Sequence, residues 1–388
     1  MNSRKLVSLA LALILVLAGC ISAVAESGTV RLGALVHMTG PTSLTGTYYR
    51  NGIQMAVDDI NEAGGILGKQ IEVVYADEGP DTQTSVNALQ KLLSEDVVAI
   101  IGTHVSTSAM AHTPLFLEQE TMYFTNGSNP NMAAAGAPWM WQQRMKDSFT
   151  APITAEIFFN ELGVKNPAII YNTAETTTVS MQAFREQYKA MGVDIPDSHI
   201  FAATEEETNF GNIINQVMAT DTDGLYCMIV HASQAVIVSQ QLKSAGYELP
   251  TIGNSMFIQP EFRTDPSSPG WYSVAEWTPS LINYPALEGI PEKAYDFATR
   301  FLAKYDMEAS MHSACAYDSV FLFKEACERA GTTEDREAIN EAMQQTDYQG
   351  VSNKFEFYGE QTLSTYTLLI QNNEQQDAVP VKIIQVIE

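Results

Sequence analysis

Residues 52–69 read GIQMAVDDINEAGGILGK, an amphipathic helix followed by a glycine-rich turn. The apolar residues of the predicted helix Tyr48–Glu62 recur at helical spacing and share one face, namely Ile53, Ala56, Val57 and Ile60. Gly64 and Gly65 follow directly, as is typical where a helix ends. The stretch therefore predicts a helix that packs one side against the protein core and then stops.

Apolar strands flank this helix on both sides. We predict strands at Val30–Met38 and Ile71–Ala76, and the alternation of strand and helix continues to Met122–Thr125. It restarts with a helix at Ala151–Leu162 and runs to a short strand at Thr251–Gly253. Two helices and three strands complete the chain, at residues 292–304, 313–329, 354–357, 365–371 and 381–387. Such alternation is typical of parallel sheets covered by helices, so we predict an α/β protein with two open, three-layer α/β lobes.

The composition excludes several classes of protein. The chain has 388 residues, of which 45% are hydrophobic and 17% are charged, so it is unlike a disordered chain. Its length predicts two or three domains, because single cores rarely grow beyond about 250–300 residues. The formal net charge of −25 argues against nucleic acid as a partner, since tracking phosphates requires a basic surface.

The first 20 residues resemble a lipoprotein signal sequence. A short basic segment precedes the apolar run Leu6–Ala18, which is too short to span a bilayer with ease. The run leads into Leu17-Ala18-Gly19-Cys20, which resembles the lipobox of bacterial lipoproteins. We therefore predict a signal peptide at 1–19 and lipidation of Cys20, which would anchor the protein outside the cytoplasm without a membrane span. The alternative is ordinary secretory cleavage near residues 23–25.

The sequence shows no signature of catalysis or of a metal site. The three remaining cysteines are too sparse for a disulfide framework and lack zinc spacing, namely Cys227, Cys315 and Cys327. The six histidines lack metal spacing, and no nucleophile elbow, zinc-protease motif or phosphate-binding loop is present. We predict no catalytic residue, no metal and no cofactor.

The alternating pattern itself predicts where a ligand lies. In open α/β sheets, ligands bind beyond the carboxyl ends of the strands, and pockets favour the interface between domains. The candidate segments are those that directly follow predicted strands, namely 39–47, 103–108, 125–129, 172–178, 231–234 and 254–258.

Several segments carry a closer resemblance. The segments 33–41, 52–61, 64–69, 99–102 and 128–130 together resemble the type I periplasmic binding proteins of the leucine/isoleucine/valine-binding, or branched-chain amino acid, family. The resemblance covers essentially the whole chain after the signal segment. It implies a solute receptor of an ABC importer, with two lobes joined by a multi-stranded hinge that close on a ligand.

The resemblance also implies which residues form each lobe. The first lobe is expected to contain residues 28–147 and 278–352, and the second lobe residues 148–277 and 353–388. The chain would therefore cross between the lobes three times.

In the first lobe, the resemblance assigns four residues to the ligand site. Thr45 matches a family position that contacts the ligand, although the surrounding Gly and Pro also suit a plain turn. Ser106 matches the residue whose hydroxyl and N–H bind a ligand carboxylate, which suits the anion-attracting start of a helix; a simple helix cap is the alternative. Gly127 and Ser128 match the next family loop, which completes this carboxylate site.

The second lobe departs from the family pattern. Asn172 and Thr176 stand where members often have Asp and Tyr, and no acid follows Gly253 to pair an ammonium group, because the chain there reads Asn254-Ser255. These departures weaken the amino-acid assignment, since a buried ammonium needs a carboxylate partner.

Other residues could replace the missing groups. Glu175 is the candidate for the missing charge, and a solvated carboxylate is its alternative reading. His231, Thr176 and Ser255 are further candidate contacts. Trp277 either walls the cleft or packs at the hinge. Arg144 either pairs with a ligand anion or with a surface acid.

From these residues we predict a monomeric, extracytoplasmic solute-binding protein anchored by lipid, which delivers a small amino acid-like, carboxylate or amide solute to an ABC permease complex. The alternatives are a sensor domain that reports to a signalling protein, and a receptor for aromatic or short-chain organic acids or amides.

Overall fold

The computed structural model of the chain describes residues 28–40, 42–284, 289–359 and 361–386. The predicted signal peptide, Cys20 and Pro41 lie outside these ranges. Cleavage of the signal peptide and lipidation of Cys20 therefore stay predictions. In the described part of the chain, no helix combines the length and the apolar character needed to cross a membrane.

The first sheet contains five parallel strands in the order β2-β1-β3-β4-β5. The strands are β1 Thr29–Val36, β2 Gln70–Asp77, β3 Ala99–Ile101, β4 Met122–Thr125 and β5 Met140–Gln142. The helices between them are α1 Ser43–Glu62, α2 Thr82–Leu93, α3 Ser106–Glu118 and α4 Asn131–Ala135. Parallel neighbours need long crossover connections, and helices supply most of these connections here. We call this sheet and the helices packed on it the first lobe.

The second sheet contains seven strands in the order β14-β13-β10-β9-β8-β6-β7. Five are parallel: β6 Pro167–Asn172, β7 Ile200–Ala203, β8 Gly224–Met228, β9 Thr251–Gly253 and β10 Tyr272–Ala275. Two late strands add antiparallel pairs at one edge: β13 Tyr366–Asn372 and β14 Ala378–Gln385. The helices are α5 Asp147–Asn160, α6 Glu175–Ala190, α7 Gly211–Met218, α8 Ala232–Ser244 and α9 Pro260–Arg263. We call this unit the second lobe.

The segment between β10 and β13 returns to the first lobe. It contains helices α10 Glu292–Tyr305, α11 Met311–Ala330 and α12 Arg336–Ala342, and a small antiparallel pair, β11 Asp347–Gln349 and β12 Lys354–Glu356. Helix α11 is almost wholly buried and packs along α1. The two helices approach closely at Gly52, where an added Cβ would lie 2.1 Å from the carbonyl oxygen of Ser313.

The last crossover lies later than the predicted boundary between residues 352 and 353. Strand β12 pairs with β11, and the chain then runs beside β5 at the edge of the first sheet. There the Gln142 N–H donates to the Gln361 carbonyl at 2.8 Å, and the Leu363 N–H donates to the Gln142 carbonyl at 3.1 Å. These hydrogen bonds hold residues 361–363 on the first lobe, so the chain enters the second sheet only at β13.

Gly52→Ala should test the close approach of α1 and α11. The added methyl group meets backbone atoms, which cannot turn aside, so we expect the free energy of unfolding to fall by about 1–3 kcal/mol. Urea denaturation measures this loss. Gly211→Ala is the control, because its Cβ would meet only the side-chain oxygen of Asn209, at 3.1 Å. Equal stability of the two variants would contradict the packing described here.

Candidate functional site

A cleft with a volume of about 540 Å³ lies between the two sheets. This volume is in the range of small-molecule sites. Each of the six segments that follow predicted strands contributes at least one lining residue. The carboxyl ends of the parallel strands of both sheets therefore face the same space, as expected for an α/β binding site.

Most of the predicted contact residues line this cleft. The described lining residues include Thr45, Ser106, Ser128, Glu175, Thr176, His231 and Ser255. Gly127 is buried behind Ser106, and a Cβ at this position would lie 2.9 Å from the Ser106 hydroxyl. Trp277 is 1% exposed and does not line the cleft. Its ring packs edge-on against Phe297 of α10, with centroids 5.8 Å apart, so it lies in the hydrophobic core that contains the first lobe.

Ser106 joins two loops of the first lobe at the start of α3. Its hydroxyl oxygen accepts hydrogen bonds from the backbone N–H groups of Ser128 and Asn129, both at 3.3 Å. The helix cap is Val105, so the capping alternative for Ser106 is wrong. The first N–H groups of a helix attract anions, and here they border the cleft beside two more backbone amides. This end of the cleft is suited to a carboxylate.

Thr45 lies in the first turn of α1, where the sequence predicted a loop. The helix begins at Ser43, close to the end of β1. This approach requires Gly46, because a Cβ there would lie 1.7 Å from the carbonyl oxygen of His37. Tyr48, one turn further along the helix, is 7% exposed and also lines the cleft.

The Asp147 carboxylate accepts hydrogen bonds from hydroxyl groups of both lobes. The Ser128 hydroxyl of the first lobe donates to its Oδ2 at 3.0 Å, and the Thr176 hydroxyl of the second lobe donates to the same oxygen. Burial raises the pKa of Asp147 to about 6, while Arg144 and the two hydroxyls oppose the rise. One carboxylate at the start of α5 thus links the lobes inside the cleft.

Glu276 is a second buried carboxylate, and it directly follows β10 at the second crossover. It is 2% exposed and lines the cleft. Its Oε1 accepts from the Met145 N–H at 2.8 Å and lies 3.6 Å from Arg144 Nε. Its Oε2 has no hydrogen-bond partner within the described residues. Arg144 therefore faces a buried acid at the cleft, where the sequence favoured a surface acid.

Three imidazoles form an uncharged polar wall in the first lobe. His104 lies between His37 and His312, with ring centroids at 5.0 and 5.2 Å. Burial lowers the pKa of His104 well below its usual value and that of His312 to about 3. His312 Nδ1 lies 3.1 Å from the Asn126 amide. The rings are neutral at pH 7, and no cluster suited to a metal ion occurs in the described ranges.

Asn172 has a structural role at the second-lobe end of the cleft. Its amide donates to the Thr204 carbonyl at 2.7 Å and accepts from the Val230 N–H at 2.8 Å. A carboxylate could not make the first of these bonds, which explains why an amide suits this position. Glu175 and His231 are exposed near the starts of α6 and α8, whereas Ser255 is buried.

Asp147→Asn should show the energetic cost of burying this charge. Because the folded-state pKa is about 6 and the ordinary value is 3.8, the folded protein holds a proton more tightly than the unfolded chain. Stability therefore falls as pH rises from about 4 to about 6, and the cost persists above pH 6. At pH 8 we expect the free energy of unfolding of Asp147→Asn, measured by urea denaturation, to exceed that of wild type by about 1–3 kcal/mol. At pH 4 the two proteins should be equally stable.

The control for this pH dependence is Asp81→Asn. Asp81 caps α2, and its hydrogen bonds to Thr84 lower its pKa, so this variant should gain no stability at pH 8. If Asp147→Asn were less stable than wild type at both pH values, the hydrogen bonds of the carboxylate would outweigh the cost of its burial.

Comparison with known proteins agrees with this architecture. The family model described as periplasmic binding protein matches residues 29–369. This chain belongs to the periplasmic binding protein family. A relative of this periplasmic binding protein, Leu/Ile/Val-binding protein homolog 3 of Brucella melitensis, is 22% identical over 315 residues, which cover 81% of this chain and 83% of the relative.

Solved structures show the same fold. A branched-chain amino acid transporter substrate binding protein of Streptococcus pneumoniae, in complex with isoleucine, superposes with a TM-score of 0.81 at 22% identity, covering 92% of this chain and 99% of the other. A solute binding protein of an ABC transporter from Rhodopseudomonas palustris, in complex with p-hydroxybenzoic acid, gives 0.80 at 16% identity, with 93% and 98% covered. This periplasmic binding protein has the type I fold.

Sequence reasoning missed the charged residues at the crossovers. Asp147 and Glu276 were not among the predicted contacts, and Arg144 was only weighed as one. Arg144 and Asp147 follow β5, and Glu276 follows β10, and neither strand was predicted. The available signal was Glu276 itself, an acid that directly follows the apolar stretch Val274-Ala275.

Proposed function

We propose that this protein is the extracytoplasmic solute receptor of an ABC importer, which captures a small amino acid-like, carboxylate or amide solute between its lobes and presents the closed form to a permease complex. The observation that carries the proposal is the cleft of about 540 Å³ at the carboxyl ends of the parallel strands of both sheets. Family membership and the relatives support it, because the relatives described above are binding proteins.

The groups at the start of α3 support a solute with a carboxylate. Ser106 and the start of α3 bring a hydroxyl group and backbone amides to one place in the first lobe. We propose that Thr45 and Ser128 contact the same end of the solute, and that Glu175, Thr176, His231 and Ser255 contact it from the second lobe. Ligand contacts from both lobes favour the closed form, since only differential affinity can shift such an equilibrium.

The proposal includes a lipid anchor at Cys20 and action as a monomer. The anchor is supported by the lipobox-like sequence at residues 17–20. It would keep the receptor near its permease without a membrane span. We propose binding without catalysis, and uptake as the role of the protein.

A thermal-shift panel tests the proposed function. Protein refolded from denaturant, to remove carried-over solute, is heated with each of the L-amino acids, short-chain and aromatic acids, and their amides. A true solute at 100 times its Kd should add about 2.7 kcal/mol to the free energy of unfolding and raise Tm. The absence of a shift with all three classes would contradict solute capture.

A further inference from the structure

The cleft is strongly acidic for a site expected to bind a carboxylate. The lining residues in the described part of the chain include five carboxylates, Asp147, Glu175, Glu205, Glu261 and Glu276, and a single guanidinium, that of Arg144. Two of the three imidazoles of the lining, those of His104 and His312, have lowered pKa values and add no positive charge at pH 7, and the third, that of His231, is exposed at the start of α8. This excess of carboxylates would repel a solute that carries only negative charge, whereas it would attract a positively charged group.

Glu276 has an unused hydrogen-bonding position inside this cleft. The side chain is 2% exposed, and its two partners, the Met145 N–H and Arg144 Nε, both lie near Oε1. Oε2 is buried and has no hydrogen-bond partner among the described residues. A buried carboxylate oxygen without a donor is costly, so a ligand that supplies a donor is strongly favoured there.

Glu276 is connected to the start of α3 through Asp147 and Ser128. The charge of Glu276 contributes to the raised pKa of Asp147, and Asp147 accepts the Ser128 hydroxyl at 3.0 Å. The Ser128 N–H in turn donates to the Ser106 hydroxyl. The acid pair and the helix start are thus linked through one residue. An α-amino acid carries its ammonium and carboxylate groups on one carbon, so a site for it must bring an acid and an anion-binding group to neighbouring places.

We propose that Glu276, assisted by Asp147, pairs the ammonium group of a zwitterionic amino acid whose carboxylate lies at the start of α3. The pairing acid that the family resemblance implies after β9 is absent, since Asn254 and Ser255 stand there. In this chain the charge comes from the second crossover instead. With Arg144, Asp147 and Glu276 ionised, the group carries a net charge of −1, which one ammonium neutralises. This inference rests on the proposed function and narrows its solute to amino acids.

The test compares two variants and two ligands by isothermal titration calorimetry at pH 7.5. The first ligand is the L-amino acid that gives the largest shift in the thermal panel. The second is the same compound without its amine, such as 4-methylpentanoate if the amino acid is leucine. The variants are Glu276→Gln, which keeps the shape and the acceptor for the Met145 N–H, and Glu261→Gln, the matched control at an exposed position of the lining.

We expect Glu276→Gln to bind the amino acid roughly tenfold or more weakly than wild type, because a charge-assisted hydrogen bond is lost. Its affinity for the amine-free compound should equal or exceed that of wild type, and Glu261→Gln should change either affinity by less than about threefold. Equal losses for both ligands, or equal effects of the two variants, would overturn the assignment to Glu276.

The remaining outcomes separate this inference from the proposed function. If only acids or amides without an amine bind wild type, the inference is wrong and the proposed function stands. If no compound in the panel binds, both fail. If Glu276→Gln does not fold, a crystal structure of wild type with the amino acid decides: the amine nitrogen within hydrogen-bonding distance of Glu276 Oε2 supports the proposal, and any other position overturns it.

Discussion

Ser106→Ala is expected to weaken solute binding by roughly 10- to 150-fold, which corresponds to about 1.5–3 kcal/mol for a hydrogen bond to a charged group. The hydroxyl group borders the cleft at the start of α3 and orders the two amides of Ser128 and Asn129. Its removal takes away both a donor to the carboxylate and the group that holds these amides in place. Calorimetric titration with the solute found in the thermal panel measures the loss.

Thr113→Ala is the matched control for Ser106. Thr113 lies on the same helix, outside the cleft, and its hydroxyl donates to the Ala109 carbonyl at 3.3 Å. We expect this variant to bind the solute with wild-type affinity. Unchanged affinity in Ser106→Ala would show that the backbone N–H groups alone hold the carboxylate.

Asp318→Ala is expected to reduce the free energy of unfolding by about 3–5 kcal/mol, because it removes a buried acceptor that three donors share. Asp318 is fully buried on α11. It accepts the Val351 N–H at 2.8 Å, and the N–H and hydroxyl of Ser352 at 2.7 and 2.5 Å. All three donors would be left without this acceptor in a site that excludes water. Urea denaturation at pH 7.5 measures the effect.

Glu325→Ala provides the comparison on the same helix. Glu325 pairs with Lys324 and Arg329 at 3.7 and 4.0 Å near the surface, so its loss should cost less than about 1 kcal/mol. Asp318→Asn should fall between the two, since its amide retains one acceptor oxygen but turns an NH2 group toward donors. Similar stability of Asp318→Ala and Glu325→Ala would contradict the role assigned to Asp318.

The sequence predicted those parts of the fold that local pattern determines. Apolar strands followed by helices predicted most elements of both lobes in their order, including α3 at Ser106–Glu118 with its observed bounds, but not β5 or β10. The pattern also predicted which segments line the cleft, because in parallel sheets the loops after the strands meet at one edge. This geometry follows from periodicity alone and needs no knowledge of distant contacts.

The features that the sequence did not predict are short strands and contacts between residues far apart along the chain. Strands β5 and β10 have only three and four residues, too few for a clear period, and the acids that follow them were therefore not recognised as part of the cleft. The contacts of Asp318 with residues 351 and 352, and of Gln142 with residues 361 and 363, join parts of the chain that no local pattern connects. These contacts decide where the last crossover lies.

The route of the chain between the two sheets has a consequence for biosynthesis. Strand β10 receives its neighbour β13 only after about ninety intervening residues, most of which build the other lobe. As the polypeptide emerges from its amino end, the side of β10 that will pair with β13 stays open until residues 366–372 appear. Open strand edges invite pairing with other chains. This edge of the second sheet is therefore covered only when nearly the whole chain has been made.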